Sequence, residues 1–440
     1  MNTVHRRGDS GYEAARRALV WNARLPDRFP AVIVQARDQQ GVVEAVRLAK
    51  REGLRLTVRS GGHSWAGSHL REGTLVIDVS RLDSMEVDRS ALRARVGPGC
   101  GGAETGLALL KQGLFFPVGH CRGVKVGGYL LQGGFGWNSR AWGPACESVV
   151  GLDLVTADGD VVYADERENA DLFWAARGAG PGFFCVVTRF HLRLRPRPKV
   201  IGFGAQSFAR EHLDEVFRWA HDVGPSVPSS VELQILLSRQ TPGVEGPGML
   251  VVAPIFADGF RSAWRELEFL RDSPLARRAR RKVPFVPSGL AFLYDHVMEH
   301  YPSHHRYAVD NVWTHASADE LLPHLRRIAD TLPPAPSHAL WLNWAPPTTR
   351  PDMAFSMEDR TYLALYGIWS DAADDARYAD WAVSNVRPIE PLATGCQLAD
   401  ENLGVRPARF VGDAQLARLD RIRAERDPST RFHEWMGRPR

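Results

Sequence analysis

Two glycine-rich segments of the chain each carry a side chain that can act as a nucleophile. Residues 59–64, RSGGHS, follow a short apolar stretch and contain His63. Successive backbone amides in such a turn form a concave donor surface that suits a pyrophosphate. Residues 113–136 hold eight glycines in 24 positions and contain Cys121. This glycine content excludes regular structure throughout and lets the backbone approach a phosphate or a large flat group.

Each of these side chains also has an ordinary interpretation. A lone histidine in a loop is commonly a surface or hydrogen-bonded residue, and a single cysteine is commonly a buried, inert thiol. We favour the chemical interpretation because the two glycine-rich segments occur together. The turn is not GxGxxG, so a nicotinamide-type dinucleotide fold is not indicated. The chain contains no CxxC pair and no HExxH motif, so no metal site is expected.

Composition excludes several classes of protein. The chain has 440 residues, 44% hydrophobic and 24% charged, with a net charge of +4, as expected for a globular protein of two or three domains. The chain has no basic run with interleaved aromatic residues, so nucleic-acid binding is not indicated. The apolar runs are too short for a membrane span, and the first residues lack the apolar core of an export signal. We therefore expect a cytoplasmic protein whose five cysteines are free thiols.

The spacing of apolar residues predicts the elements that hold these segments. A strand at 31–35, a helix capped by Asp38 and ended by Gly53, and a strand at 54–58 form a βαβ-like unit. The Asp158-Gly159 pair predicts a hairpin between strands at 149–155 and 161–163. RPRPK at 195–199 is typical of a linker. The remaining predicted elements of this part are strands at 74–79, 92–96 and 185–194 and helices at 103–112 and 169–177.

Residues from about 200 to 395 differ in character, with frequent proline and aromatic residues and few glycine loops. Strands predicted at 232–237, 249–254, 340–344 and 362–369 indicate a second domain, mainly antiparallel sheet with covering helices. Strand alternation places Tyr362 and Tyr366 on one face and Trp369 on the other. A helix is predicted at 411–426. The candidates for a substrate wall are Trp341, Asn343, Trp344, Tyr362, Tyr366 and Trp369.

Five segments, in order along the chain, resemble berberine-bridge-enzyme-like oxidases of the vanillyl-alcohol-oxidase, PCMH-type FAD fold. They are VRSGGHSWAG at 58–67, VGHCRGVKVGGYLLQGGFG at 118–136, VVGLDLVTADGDVV at 149–162, DLFWAARGAGPGFFCVVTRFHLRL at 171–194 and DPSTRF at 427–432. The resemblance implies an α+β protein. A PCMH-type FAD-binding domain of two α/β subdomains is expected at 1–200, completed by 396–440. An antiparallel-sheet substrate domain with covering helices is expected at 201–395.

The same resemblance implies a covalent FAD. His63 corresponds to the histidine bonded to the flavin 8α-methyl carbon, and Cys121 to the cysteine bonded to flavin C6 in members with two links. Val124 falls beside flavin C4a, and Tyr129 stands where many relatives have a histidine in the network around the ribityl chain. The residues expected to wrap the pyrophosphate are Arg59, Ser60, Gly61, Gly62, His63 and Ser64. The glycines expected to lie against the cofactor are Gly119, Gly127, Gly128, Gly133, Gly134 and Gly136.

Two departures from the family pattern affect the predicted chemistry. Lys125 replaces a glycine, and its charge either lies near the flavin N1–C2=O region or points to solvent. Carbohydrate-oxidising relatives carry Tyr-x-Asn-Tyr shortly before the C-terminal helix, whereas residues 395–404 here read GCQLADENLG, without tyrosine. Asn402 is then a candidate flavin contact. The candidate catalytic residues are Asp400, Glu401, Tyr362 and Tyr366.

The resemblance implies an oxidase that moves a hydride from a C–H next to oxygen or nitrogen to flavin N5, with dioxygen as reoxidant and peroxide as product. The expected substrate is a bulky alcohol, a sugar-like compound, an amine or a secondary metabolite. Two alternatives remain: a dehydrogenase with another electron acceptor, and a flavin-containing binding protein without redox turnover. The scarcity of lysine, five of 55 basic residues, indicates a bacterial source. The oligomeric state stays open.

Overall fold

The computed structural model describes residues 2–347 and 349–438 of the chain. Residues 439 and 440, which close the predicted segment 396–440, lie outside the described residues, as does residue 1. The strands are β1 Thr3–Arg6, β2 Val32–Gln35, β3 Leu56–Arg59, β4 Leu75–Asp78, β5 Met85–Asp88, β6 Arg93–Val96, β7 Leu114–Phe115, β8 Val149–Val155, β9 Val161–Ala164, β10 Val186–Arg193, β11 Arg195–Pro196, β12 Val200–Ala209, β13 Gln234–Ser238, β14 Gly248–Ala257, β15 Arg281–Pro287, β16 Arg306–Thr314, β17 His338–Asn343 and β18 Thr361–Trp369. The α-helices are α1 Tyr12–Ala18, α2 Gln39–Glu52, α3 Gly102–Lys111, α4 Val126–Leu131, α5 Ser139–Trp142, α6 Ala170–Ala176, α7 Leu213–Val223, α8 Phe260–Glu266, α9 Glu268–Arg271, α10 Gly289–Met298, α11 Ala318–Thr331, α12 Asp375–Tyr378, α13 Trp381–Val386 and α14 Asp413–Arg426.

The first sheet has the strand order β1-β2-β4-β3, with β2 and β3 each parallel to β4. Helix α2 connects β2 to β3 and has the predicted ends. The Asp38 side chain accepts a hydrogen bond from the Gly41 amide at 2.7 Å, and Gly53 ends the helix at φ +66°. The strand–helix–strand prediction is confirmed, but β4 lies between the two strands, so they do not pair with each other.

A second, antiparallel sheet has the order β5-β6-β10-β8-β9. The hairpin between β8 and β9 is confirmed, and Gly159 adopts φ +85° in its turn. The linker prediction is partly wrong, because Arg195 and Pro196 pair with Leu114 and Phe115 in a short two-stranded ribbon. This ribbon fixes the chain at the point where it passes to the third sheet.

The third sheet is antiparallel throughout and has the order β15-β12-β14-β13-β17-β18-β16. Its two faces differ because successive side chains along each strand point in opposite directions. One face, with Ile235 and Val251, packs against α7, α11 and α13. The other face, with Leu236 and Val252, forms a separate apolar surface. Helices α7, α11 and α13 therefore cover one face, and the opposite face is turned toward the glycine-rich segments. Helix α10 contacts the edge of this opposite face, where Phe292 stacks on Phe203 of β12.

The C-terminal segment packs against the first part of the chain. Helix α14 contacts α6, and Phe432 forms a parallel bridge with Leu56 of β3. The α+β class predicted from the sequence is confirmed by these sheets and helices. Among the described residues, no helix is both long and apolar enough to cross a membrane, and no group of three or more His, Cys, Asp or Glu side chains is placed to hold a metal ion.

Candidate active site

A cavity of about 340 Å³ lies where the two glycine-rich segments meet the C-terminal segment and the Leu236 and Val252 face of the third sheet. Most of the predicted site residues line it: Arg59, Ser60, Gly61, Gly62, His63, Ser64, Gly119, Cys121, Val124, Gly127, Gly128, Tyr129, Tyr362, Tyr366 and Asp400. The structure thus brings together residues from all three sheets of the fold or from the loops next to them. Gly133, Gly134, Gly136, Glu401 and Asn402 do not line this cavity.

The RSGGHS turn begins where β3 ends. Gly62 adopts φ +70°, and a Cβ there would lie 2.1 Å from the Leu19 carbonyl oxygen, so only glycine fits. The Arg59 guanidinium donates to Asp78 Oδ1 at 3.1 Å and to the carbonyls of Leu19 and Ala18. It therefore holds the base of the turn in place, and the backbone amides of 60–64 remain as the donors for an anion.

His63 is held between an aromatic ring and the second glycine-rich segment. Its imidazole stacks on Trp21, with ring centroids 4.8 Å apart and planes at 23°. A Cβ on Gly123 would lie 2.9 Å from His63 Nε2, so this close approach requires a glycine. Burial, together with the charges of Arg59 and Lys125, lowers the pKa of His63 to about 3. The imidazole is neutral at pH 7, which is the state in which a nitrogen lone pair can attack carbon.

Cys121 lies in an aromatic cluster that includes Tyr301 and Tyr307. Burial, reinforced by the negative charge of Asp400, raises the pKa of the Cys121 thiol to about 12. All five cysteines lie within the described residues and carry free thiols. His63 and Cys121 line the same cavity. Gly123 packs against the His63 imidazole and lies two positions after Cys121 in the chain.

The rest of the 113–136 segment folds in two layers. Gly127 and Gly128 lie on the cavity side. A Cβ on Gly127 would meet Ser60 Oγ at 2.8 Å, whereas one on Gly128 would have no protein atom within 4 Å. Gly133, Gly134 and Gly136 form the layer behind, against Phe355, Tyr129 and Val118. These last three glycines therefore shape the segment and do not face the cavity.

Two residues that depart from the family pattern have defined positions. The stem of Lys125 packs over Gly61, where a Cβ would lie 2.8 Å from Lys125 Cγ, and the side chain lines the cavity. This placement does not favour the solvent-facing interpretation. Tyr129 Oη contacts the carbonyls of Pro117 at 2.9 Å and Gly134 at 3.0 Å. The phenol is used to brace the segment, which differs from the predicted part in a ribityl network.

Asp400 accepts hydrogen bonds from three side chains. Its Oδ2 accepts from Tyr362 at 2.5 Å and from Tyr366 at 2.9 Å, and its Oδ1 accepts from the Trp65 indole at 2.6 Å. Burial, with the adjacent Asp400 charge, raises the pKa of both tyrosines well above the usual value. The tyrosines are therefore protonated donors, and Asp400 is a carboxylate oriented in the cavity.

Glu401 and Asn402 face a different part of the molecule from Asp400. Glu401 accepts from the Leu403 amide at 2.7 Å, and burial raises its pKa. The Asn402 carbonyl accepts from the amides of Val405 and Arg406. A short 3-10 turn at Leu398–Asp400 precedes Glu401, so successive side chains leave the backbone in different directions. Neither residue lines the cavity, although the sequence predicted Glu401 as a catalytic residue and Asn402 as a flavin contact.

The substrate-wall candidates on β17 and β18 divide by strand alternation. The predicted alternation is confirmed, because Tyr362 and Tyr366 both reach Asp400 while Trp369 donates to Asp375 at 2.8 Å. Trp341 packs in the helix-covered core, and Asn343 donates to the Gly224 carbonyl at 2.9 Å. Trp344 donates to Glu358 at 2.7 Å. The β17 residues that line the cavity are instead Leu340 and Leu342.

Several residues that line the cavity, or that contact residues lining it, were not found from the sequence. Trp21 stacks on His63, Trp65 bonds Asp400, and His120 pairs with Glu232. Trp65 and His120 each stand directly beside a motif residue, at positions 64 and 121, and this adjacency was the available signal. Trp21 and Glu232 carried no such signal because their partners are distant in sequence.

The residues of this cavity fit a flavin dinucleotide. Toward the C-terminal segment the cavity is lined by Arg71 and by His69 and His433, whose Nε2 atoms are buried without a hydrogen-bond partner in the described part of the chain. Arg71 and the amides of 60–64 suit a pyrophosphate, and the unpaired imidazole nitrogens suit the hydroxyl groups of its attached ribose. Gly127 and Gly128 leave room for a flat ring system beside His63 and Cys121.

Comparisons with known proteins agree with this site. A family profile described as an FAD binding domain matches residues 30–165. The FAD-linked oxidoreductase nodO of Hypoxylon pulicicidum is 32% identical over 436 residues, covering 96% of this chain and 94% of that protein. The (R)-6-hydroxynicotine oxidase of Paenarthrobacter nicotinovorans is 38% identical over 201 residues, covering 44% of this chain and 42% of that protein.

Two solved structures share the whole fold. The 6-hydroxy-D-nicotine oxidase of Arthrobacter nicotinovorans has a TM-score of 0.85 at 23% identity and covers 100% of this chain and 98% of that one. The berberine-bridge-enzyme-like protein 1 of Physcomitrella patens has a TM-score of 0.84 at 20% identity and covers 98% of this chain and 96% of that one.

Fold, cavity and relatives together define a flavoenzyme that carries out oxidation–reduction with FAD. The chain belongs to the family of FAD-linked oxidoreductases that includes nodO, and its fold is the berberine-bridge-enzyme-like, PCMH-type fold that the resemblance of its five segments predicted.

Proposed function

We propose that the protein is an oxidase that removes a hydride from a C–H bond next to nitrogen or oxygen in a bulky small molecule. The observation that carries this proposal is the Tyr362–Asp400–Tyr366 cluster, which lies in the same cavity as His63 and Cys121. A positioned carboxylate among phenol donors supplies the proton acceptor that such an oxidation requires. When bound, FAD supplies the hydride acceptor at N5 and is reoxidised by dioxygen to yield peroxide.

The residues of the cluster have separate tasks in this proposal. Asp400 takes the O–H or N–H proton of the substrate as its C–H bond breaks. Tyr362 and Tyr366 hold the carboxylate through Oδ2, and Trp65 holds it through Oδ1. Because the pKa of each phenol is raised, both stay protonated, and each keeps its single O–H donated to Asp400 Oδ2.

Two features support the finer parts of the proposal. Val124 lines the cavity as a small aliphatic side chain, which is compatible with oxygen access to the flavin. The 395–404 segment lacks the tyrosines of carbohydrate-oxidising relatives, so an amine or a secondary alcohol is favoured over a sugar. The (R)-6-hydroxynicotine oxidase is a relative whose name specifies an amine substrate. We further propose covalent bonds from His63 to the 8α carbon and from Cys121 to C6 of the flavin.

Anaerobic rapid mixing tests the proposal directly. The purified holoenzyme is mixed separately with 6-hydroxy-D-nicotine, 1-indanol and xylobiose, and bleaching of the flavin absorbance is followed. Air is then admitted, and the peroxide that forms is assayed. We expect the amine or the alcohol to reduce the flavin and peroxide to form on reoxidation. Substrate-reduced enzyme that persists in air would instead indicate a dehydrogenase with another acceptor, and absence of any reduction would favour a binding protein.

Asp400→Asn and Glu401→Gln form a matched pair for assigning the base. The Asn substitution removes the proton acceptor and is expected to slow flavin reduction by about 10²- to 10⁴-fold with flavin content unchanged. Glu401 lies outside the cavity, so its Gln variant is expected to reduce the flavin at the wild-type rate. Equal rates in both variants would remove Asp400 from the mechanism.

A further inference from the structure

Glu232 is a buried carboxylate at the junction of the third sheet and the second glycine-rich segment. The residue is 3% exposed. Its Oε1 accepts from the Asn138 amide at 2.7 Å, and its Oε2 contacts Gln234 Nε2 at 3.1 Å and His120 Nε2 at 2.9 Å. Among the described residues, no arginine or lysine forms an ion pair with it. The Arg140 guanidinium is near enough for its charge to act on Glu232, but its hydrogen bonds go to backbone carbonyls. The direct partners of the Glu232 carboxyl group are therefore two hydrogen-bond donors and one histidine.

The contacts of Glu232 fix which nitrogen of His120 carries the proton. A backbone amide and a glutamine NH₂ group can only donate, so both carboxylate oxygens act as acceptors. His120 Nε2 must then be the protonated nitrogen in order to donate to Oε2. In the neutral ring this leaves the lone pair on Nδ1. Glu232 thus selects one tautomer of His120.

The other side of His120 belongs to the cavity. The imidazole lines the cavity next to Cys121 and packs edge-on against Trp137, with ring centroids 4.3 Å apart. The His120 side chain is 25% exposed, compared with 4% for Glu232. Within the residues that the structure describes, Nδ1 has no hydrogen-bond partner, and it is not among the fully buried polar atoms.

A purely structural task does not account for this arrangement. Asn138 adopts φ +64°, and the bond from its amide to Glu232 stabilises the end of the glycine-rich segment. A glutamine would accept that bond equally well without the cost of burying a charge. What a glutamine cannot do is accept from His120 Nε2 and from the Asn138 amide at the same time with one carbonyl oxygen in this geometry. The carboxylate is therefore needed for the orientation and the tautomer of the imidazole.

We propose that His120 is a substrate-binding residue whose Nδ1 accepts a hydrogen bond from an O–H or N–H group of the substrate, and that Glu232 is its positioning residue. The inference rests on the proposed function, because it places a second acceptor in the cavity beside Asp400. It narrows the substrate class to molecules with a hydrogen-bond donor besides the proton that Asp400 removes. An aminoalcohol, a hydroxylated amine or a diol meets this requirement.

Two substitutions separate the loss of the Nδ1 acceptor of His120 from the loss of the tautomer that Glu232 selects. In His120→Gln the side-chain amide can still donate to Glu232 from the position of Nε2, but the acceptor at the position of Nδ1 is lost. In Glu232→Gln the new carbonyl can accept from Asn138, and the new NH₂ group donates to His120 Nε2. The imidazole is thereby forced into the opposite tautomer, with Nδ1 as a donor.

Diethyl pyrocarbonate, which acylates unprotonated imidazole nitrogens, reads this tautomer in the holoenzyme without turnover. We expect the peptide containing His120 to be modified in the wild type and to be modified more slowly in Glu232→Gln. Exposed His304 serves as the internal reference for reagent activity in every sample. Modification of His304 without modification of His120 in the wild type, or equal rates for His120 in both proteins, would overturn the assignment.

Flavin reduction by 6-hydroxy-D-nicotine and by 1-indanol supplies the second readout. Loss of one neutral hydrogen bond in His120→Gln is expected to lower kcat/KM about three- to tenfold for the compound that carries a second donor. The compound without a second donor is expected to show no change. If His120→Gln has the same kcat/KM as the wild type for each of the two compounds, this inference alone is overturned. A wild type that neither compound reduces overturns the proposed function instead, and the reagent result still decides the tautomer.

Discussion

At the scale of single residues, the chemistry of this protein depends on how a few polar side chains are oriented. Asp400 owes its position to Trp65, which directly follows the first glycine-rich turn, and to Tyr362 and Tyr366 of one strand of the third sheet. Glu401, the next residue, has the same chemistry and a different environment. Asp400, the candidate base, and Glu401, a structural carboxylate, are therefore adjacent residues that differ in what surrounds them.

The two proposed covalent links can be separated by acid precipitation. Precipitated and washed wild-type protein is expected to keep its yellow colour, because covalent bonds survive unfolding while a dinucleotide held by hydrogen bonds is released. His63→Ala and Cys121→Ala should each retain flavin through the remaining link, with altered absorbance and fluorescence. Flavin absorbance in pellet and supernatant is the measurement.

The outcomes of that experiment differ clearly. Complete release of flavin from His63→Ala, with an unchanged spectrum in Cys121→Ala, would reduce the number of links to one. Complete release from the wild type would contradict both links. Cys100→Ala is the matched control, because Cys100 is a buried free thiol that does not line the cavity.

At the scale of elements, the second glycine-rich segment works by close approach of backbone to backbone. A Cβ on Gly136 would lie 2.1 Å from the Val118 carbonyl oxygen and 2.4 Å from Tyr129 Oη. The two ends of the segment are therefore in direct contact, and this contact holds His120 and Cys121 against the cavity. Glycine is needed here for space, since no positive φ is involved.

Gly136→Ala and Gly128→Ala are expected to have opposite effects on the stability of the apoprotein. The first creates a clash that the segment must relieve by moving, at a cost of about 1–3 kcal/mol, with loss of bound flavin. The second replaces a helical glycine where no protein atom lies within 4 Å, so the apoprotein should gain up to about 1 kcal/mol.

Flavin content then tests the role of Gly128. If the cofactor passes over this glycine, Gly128→Ala should lower flavin content although the apoprotein melts at a higher temperature. Thermal unfolding and the flavin-to-protein absorbance ratio give both quantities on one sample. A stabilised variant with full flavin content would place the cofactor elsewhere along the segment.

At the scale of the whole molecule, the C-terminal segment is locked onto the third sheet by a buried ion pair. Arg406 donates through Nε to Asp310 Oδ2 at 2.8 Å and through Nη2 to Oδ1 at 2.5 Å. The Arg406 side chain is 7% exposed and that of Asp310 is 0% exposed. The segment that carries Asp400 is thereby fixed relative to Tyr362 and Tyr366.

Arg406→Met is expected to destabilise the protein by about 3–5 kcal/mol, because it leaves Asp310 charged and buried without its partner. Arg409→Met is the matched control, since Arg409 pairs with Asp413 at the surface, where the two side chains are 51% and 84% exposed. That change should cost less than about 1 kcal/mol. Urea unfolding followed by tryptophan fluorescence compares the two, and equal midpoints would contradict the account of the ion pair.

Acid is expected to destabilise the molecule through buried neutral histidines. Burial lowers the pKa of His69 and His300 to about 3 and that of His338 to about 4, from a usual value of 6.5. Between these values the unfolded chain binds more protons than the folded one. The stability contributed by these residues is therefore complete above pH 6.5 and is lost as the pH falls.

The expected loss is about 1.4 kcal/mol per pH unit for each histidine below its unfolded pKa. Thermal unfolding of the apoprotein between about pH 7.5 and about pH 5 measures it. His338→Asn keeps a donor for the Pro336 carbonyl, which His338 Nδ1 contacts at 3.0 Å, but cannot be protonated. This variant should show a shallower dependence on pH, and an unchanged slope would exclude His338 as a contributor.

The sequence by itself determined the local parts of this protein. The cap at Asp38, the helix end at Gly53 and the hairpin at Gly159 depend on residues a few positions apart, and all three were predicted. The alternation that separates Tyr362 and Tyr366 from Trp369 is also local, because it follows from the twofold period of a strand. Five segments in order were sufficient to predict the family, the fold class and the cofactor.

Only the tertiary structure decided which polar groups meet. The pairs Trp65–Asp400 and His120–Glu232 join residues 335 and 112 positions apart. The choice of Asp400 over Glu401, and of Leu340 and Leu342 over Trp341, depended on how loops and strands are docked against one another. No local preference encodes such contacts, because each depends on the register and packing of elements that are distant in sequence.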